Sequence, residues 1–211
     1  MPRPVDTSSA GRRRAPEARP QQILDAAFHE FGERGLASTR LDDIARRAGV
    51  AKGTIYLYFP NKEALFEEMV RTTLIEAIAV AEQAQSAYEN DSIESLIREL
   101  AAWWWKFLRT ERVTTIHRLA LAELHHFPEL MQFFADEVIA RGRRLVAGII
   151  ARGVERGEFR PIDPQLAARM YSAIWLTHST WAAGRQFDPT LGSDEQLLAE
   201  MLDFYLGAIK R

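Results

Sequence analysis

No cysteine occurs among the 211 residues. That excludes disulfides and thiolate-bound metals, and it suits a reducing cytoplasm, the compartment expected here. No stretch approaches the roughly 18 uncharged apolar residues needed to span a bilayer, so no membrane partner is expected. The N-terminal MPRPVDTSSAGRRRAPEARP carries charge and proline but no apolar core, and it does not read as a secretory signal. No segment shows the period-two alternation of a strand, and no internal repeat is found. Gly-rich phosphate loops, nucleophile elbows and metal triads are missing. The five histidines are scattered. Glu123-Leu124-His125-His126 holds one Glu-x-x-His spacing, but a di-iron bundle needs two such motifs and two further glutamates. No catalytic residue, metal or cofactor is expected, and the chain does not read as an enzyme.

What is present is helical periodicity and an uneven charge. The net charge is −2 overall. Residues 1–62 carry eleven Lys/Arg and seven Asp/Glu, hence +4; residues 63–211 carry sixteen and twenty-two, hence −6. The positive part coincides with TRLDDIARRAGVAKGTIYLYFPNK, residues 39–62. There Thr39 is placed to cap a short helix, with Asp42 three residues on. Leu41, Ile44, Ala45 and Ala48 share one face, and Gly49 can end the helix in a left-handed conformation. A second short helix over 52–59 turns Ile55 and Phe59 inward, which leaves Lys52, Gly53, Thr54, Tyr56 and Tyr58 outside. A short exposed helix of small, hydroxylated and basic residues suits the DNA major groove.

Residues 21–66 resemble the DNA-binding domain of the TetR family of bacterial transcriptional regulators. The matching pieces are ILDAAFHEFGERG, TRLDDIARRAGV and GTIYLYFPNKEALF, in register with one another. The resemblance implies an all-α protein with a three-helix, helix-turn-helix N-terminal domain and a helical C-terminal domain for effector binding and dimerisation. The boundaries expected are a disordered basic arm at 1–18, the DNA-binding domain at 19–64 and the C-terminal domain at 65–211. Lys52, Gly53, Thr54 and Tyr56 are expected at base edges. Thr39, Arg40, Tyr58 and Lys62 are expected on phosphates, which fixes register without reading sequence.

Helices are expected over 19–34, 61–85, 92–109, 111–125, 128–156, 164–184 and 194–209, besides the two short ones. From Met170 to Ala183 the sequence holds no charged residue. The last helix is also rich in apolar positions. One protomer cannot bury so much apolar surface, so a homodimer is expected, with Trp175, Leu202, Tyr205 and Leu206 at its interface. The resemblance implies the same use of the last two helices. Trp103, Trp104 and Trp105 are consecutive and point about 100° apart around one helix. Trp104 is expected on the inward stripe and Trp105 off it. The resemblance implies an effector pocket between the middle helices. Its expected lining is Trp104, Phe107, His117, Leu121, Phe134 and His178, which suits a small hydrophobic or aromatic molecule. The function implied is a repressor that leaves a DNA operator of palindromic half-sites when an effector shifts the dimer to another geometry. The contrasting readings are a helical-bundle enzyme or a ligand binder without DNA binding.

Overall fold

The computed structural model describes residues 19–85, 92–180 and 192–211, the side chains of 176–180 excepted. The arm expected at 1–18 and the side chain of His178 lie outside the described residues. Within them the backbone is helical between its turns, apart from one isolated antiparallel bridge that joins Phe159 to Lys210.

Three helices open the chain: α1 (Arg19–Arg34), α2 (Leu41–Ala48) and α3 (Lys52–Tyr58). Their apolar faces meet in one core, in which Ile23, Phe31, Leu36, Ile44 and Ile55 are fully buried. The turn from α2 to α3 passes through Gly49 at φ 68°, a left-handed conformation that a Cβ would oppose. Thr39 does not cap α2. Arg40 takes the N-cap position with no side-chain bond. Thr39 is buried instead, its hydroxyl set against the carbonyl oxygens of Gly35 at 2.7 Å and Glu30 at 3.3 Å. It staples the end of α1 to the turn that follows.

A helical rod then leads away, made of α4 (Lys62–Val70), a π-helical turn (Arg71–Ile75) and α5 (Glu76–Ala84). Asn61 caps it, its Oδ1 accepting the N–H of Ala64 at 2.7 Å. The remainder is α6 (Ile93–Leu108), α7 (Glu111–Glu123), α8 (Pro128–Phe134), α9 (Arg141–Glu155), α10 (Pro164–Thr180) and α11 (Asp194–Ile209). The helix expected over 128–156 is interrupted by a second π-helical turn, Ala135–Ala140, which packs against the first. Helix α10 starts at a proline, with Asp163 Oδ1 accepting the N–H of Gln165 at 2.9 Å. Helix α11 starts at Ser193, whose Oγ accepts the N–H of Gln196 at 3.1 Å.

Helix α6 packs against α9, α10 and α11. Its buried stripe is Ile93, Leu96, Ile97, Ala101, Trp105 and Leu108. Trp105 is therefore the inward tryptophan, edge-on to Trp175 at 6.3 Å between ring centroids. Trp104 is half-buried and Trp103 is 39 % exposed, the reverse of the sequence reading. The buried stripe takes in the small Ala101 and with it Trp105, four residues on, so its phase lies about one residue from the one expected.

Candidate functional site

The outward face of α3 is built from the residues that its inward ones leave over. Ile55 and Phe59 anchor it in the core, while Lys52, Gly53, Tyr56, Leu57 and Tyr58 are exposed. Thr54 is half-buried, with its backbone N–H on the Ala51 carbonyl at 2.8 Å. Nothing lies within 4 Å of where a Cβ on Gly53 would stand, so the backbone there is open to close approach. Leu57 is 82 % exposed, an apolar surface able to meet a thymine methyl. The basic groups are not idle. Lys52 Nζ donates to Asp42 Oδ2 at 2.7 Å, and that bond holds the lysine pKa above its ordinary value. Asp43 pairs with Arg46 at 3.0 Å and Arg34 at 3.5 Å, and Arg47 with Glu30 and Glu33, both at 2.6 Å. Asp42 and Asp43 thus hold the neighbouring cations in position. Arg40 is exposed, its carbonyl accepting the N–H groups of Asp43 and Ile44 and its guanidinium in no hydrogen bond or ion pair among the described residues.

Lys62 lies at the start of α4. Its Nζ donates to the Ala37 carbonyl at 2.7 Å and sits 5.7 Å from the centroid of the Phe127 ring. It braces the turn after α1 against the C-terminal helices.

A cavity of about 250 Å³ lies between α5, α6, α7, α8, the second π-helical turn, α9 and α10. Ile78, Leu108, Ala120, Leu124 and Val146 make its apolar wall, with Trp104, Phe134 and Trp175 as the aromatic part. Val138 and Ile139 enter it from the π-helical turn, whose extra residue re-aims the side chains. Its polar groups are few: His117, Arg143, Tyr171, Ser172 and the indole N–H groups. Burial lowers the pKa of His117 to about 4, so the imidazole is neutral at pH 7. Burial raises the pKa of the Tyr171 hydroxyl, the nearby Tyr205 adding to the shift and the Trp175 indole partly opposing it.

Helix α7 serves both regions. His117, Ala120 and Leu121 face the cavity. On another side Arg112 pairs with Asp25 at 2.6 Å, and Arg118 Nη2 donates to the Gly32 carbonyl at 2.6 Å, both on α1.

Residues 23–69 match the bacterial regulatory proteins of the tetR family, and residues 94–208 match the C-terminal domain of AefR-like transcriptional repressors. YhgD of Bacillus subtilis strain 168, an HTH-type transcriptional regulator, is 30 % identical over 196 residues, covering 89 % of this chain and 94 % of its own. The chain belongs to the TetR family. It is a helix-turn-helix, DNA-binding transcriptional regulator. RutR of Escherichia coli strain K12, another such regulator, is 29 % identical over 185 residues, covering 81 % of this chain and 77 % of its own. The structure of FadR from Bacillus subtilis in complex with stearoyl-CoA superposes with a TM-score of 0.74 at 25 % identity, over 90 % of this chain and 98 % of that one.

For this TetR-family regulator, the structure brings four expected lining residues to the cavity: Trp104, His117, Leu121 and Phe134. Phe107 is not among the lining residues; it stacks on Trp103 at 5.2 Å and an interplanar angle of 8°. Tyr171 and Arg143 were missed as lining. Tyr171 and Trp175 are one helical turn apart in the charge-free segment, which reads as an interface, and nothing in the sequence sets Arg143 apart from the other basic residues of its helix. Thr39, expected on a phosphate, is 2 % exposed and is withdrawn from the nucleic-acid face. The expected interface residues Trp175, Leu202, Tyr205 and Leu206 are all buried within the protomer. Each packs inward, Tyr205 with its hydroxyl on the Ala167 carbonyl at 2.9 Å. The apolar side chains left outside on these two helices are Leu166, Met170 and Phe204, at 50 %, 51 % and 78 % exposure. Among the described residues no helix is long and apolar enough to cross a membrane, and no cluster of three metal-ligating side chains occurs.

Proposed function

We propose that this regulator is a cytoplasmic repressor that holds a palindromic operator as a homodimer and releases it when a small, largely apolar effector enters the cavity. The observation that carries the reading is that α7 lines the cavity with one face and grips α1 with another. A ligand that favours one placement of α7 then biases the placement of the helix-turn-helix, provided that it binds the two arrangements with different affinity. Support comes also from FadR, crystallised with an acyl-CoA, and from the match to a repressor C-terminal domain.

The DNA face proposed is Lys52, Gly53, Thr54, Tyr56 and Leu57 at base edges, with Arg40, Tyr58 and Lys62 on phosphates. The dimer interface proposed is the outer face of α10 and α11 around Leu166, Met170 and Phe204, since such apolar exposure on two neighbouring helices marks a contact surface. Two recognition helices related by that two-fold axis would enter successive major grooves. Selection of bound duplexes from a random pool tests the reading. Recovery of an inverted repeat with half-sites about one helical turn apart is expected, and a pool without any preferred sequence would overturn it.

A further inference from the structure

The cavity is apolar in area but lopsided in its polar groups. Among the described residues its lining holds one cation, Arg143, and no carboxylate. Tyr171 and Trp175 are each 3 % exposed, and although the indole lies close enough to bear on the Tyr171 hydroxyl, neither that hydroxyl nor the Trp175 Nε1 has a partner in hydrogen-bonding geometry. They stand one helical turn apart on α10, with ring centroids 5.4 Å apart. A buried donor without an acceptor is costly, and native structures rarely leave two beside one another without a partner. Ser172 donates to the Ala168 carbonyl at 2.9 Å, and its oxygen accepts from neither of them. Arg143 is half-buried and has neither a hydrogen bond nor an ion pair among the described residues.

We propose that the effector is an apolar monocarboxylate, its ring or chain among Trp104, Leu121 and Phe134 and its carboxylate taken by the Tyr171, Trp175 and Arg143 donors. This rests on the reading of the cavity as the effector site. The charge selects the class. A carboxylate brings only acceptors, so it satisfies both orphaned donors and neutralises the guanidinium in a low-dielectric space, where charge-assisted bonds are strong. An amine brings a second cation beside Arg143 and no acceptor for the Tyr171 and Trp175 donors. A neutral ester or ketone offers an acceptor but leaves Arg143 without a counter-charge. Size agrees: an apolar cavity of about 150 Å³ takes up benzene, and this one, at about 250 Å³, leaves room for a bicyclic body.

The test is calorimetric titration of the full-length protein with 2-naphthoate, its methyl ester and 2-naphthylmethylamine, three probes that share one apolar body. The acid should bind at least about tenfold more tightly than the ester, a difference of one charge-assisted contact, and the amine should bind weakest. R143M should remove the advantage of the acid while leaving ester affinity unchanged, which also shows that the variant keeps its cavity. Y171F should weaken acid and ester alike. Equal affinity for acid and ester, or preference for the amine, would overturn the carboxylate proposal and leave the cavity as effector site standing. No binding by any of the three would overturn both.

Discussion

The carboxylate of Glu123 accepts the backbone N–H of Ala37 at 2.7 Å, across 86 residues of sequence. The Ala37 carbonyl accepts Lys62 Nζ at 2.7 Å. The turn between α1 and α2 is thus held at both polar ends of one peptide-bearing residue, by the last residue of α7 and the first of α4. Gly35, at φ 82°, lies against the same glutamate, and a Cβ there would collide with the Glu123 carboxylate. Glu123 stands between the cavity-lining Leu121 and Leu124, so this contact joins the cavity wall to the turn before α2.

Replacing Glu123 by Ala should therefore loosen the turn more than it destabilises the fold. The bond is exposed, so its loss should cost about 1 kcal/mol or less, because water can replace the carboxylate. Amide exchange at Ala37 should accelerate clearly. Glu123→Gln, which keeps an acceptor oxygen, should preserve much of the protection. Unaltered exchange in the alanine variant would mean that the turn is held by other contacts.

Asp42 restrains Lys52, and both are exposed enough to exchange partners. In Asp42→Asn the ion pair is gone and one negative charge leaves the DNA face. Affinity should rise on all duplexes, with the logarithmic salt dependence steeper by about 0.9 if one more phosphate is engaged. Lys52→Ala should do the opposite. Tyr56→Phe and Leu57→Ala should act differently, changing the preferred base at a single position by about 1–3 kcal/mol with the salt slope kept. Binding isotherms at several salt concentrations separate the two classes. An Asp42→Asn variant with the wild-type slope would show that Lys52 remains outside the complex.

The helices were legible in the sequence because their punctuation was chemical. Asn61, Ser193 and the Asp163-Pro164 pair each mark a start that the hydrogen bonds bear out. The helix-turn-helix was legible because Ile44, Ile55 and Gly49 leave one choice of inner face. The cavity was half legible. Trp104, His117, Leu121 and Phe134 could be placed from periodicity, whereas Arg143 and Tyr171 could not, since a cavity at the meeting of many elements is set by their mutual rotation. The interface reading failed for a related reason. In a helix without charges, apolar character gives no phase, and Trp175 and Leu202 turned out to face the protomer's own core. The two π-helical turns carried no signal at all in residue type.

That phase yields a contrast between outer and inner substitutions. Met170→Glu and Phe204→Glu place a charge on exposed positions, so the protomer should keep its helicity and melting temperature while its self-association is lost. Trp175→Glu and Leu202→Glu bury an uncompensated charge, which should destabilise the protomer itself by about 3–5 kcal/mol. Sedimentation velocity at micromolar concentration and thermal melts distinguish them. A Phe204→Glu protein that sediments like the wild type would place the interface elsewhere.

His117 supplies a pH dependence of definite sign. Its imidazole titrates near 6.5 when unfolded and about 4 when buried in the cavity wall. The unfolded chain therefore binds the extra proton first. Stability is unaffected by this group above about pH 7, falls as the pH drops from 6.5 to about 4, and levels off below, where both states are charged. The shift corresponds to about 3 kcal/mol at most. The Glu82 and Glu94 carboxyls, held low by their hydrogen bonds to Arg141 and Lys210, lose stability over a lower range. Those contributions are common to wild type and variant. In His117→Gln, which keeps polar atoms of similar reach but cannot titrate, the plot of unfolding free energy against pH should be flatter between 6.5 and 4, by up to that amount. Urea unfolding at half-unit pH steps measures the difference directly. Parallel curves for the two proteins across that range would mean that the imidazole keeps an ordinary pKa, with water reaching it through the cavity.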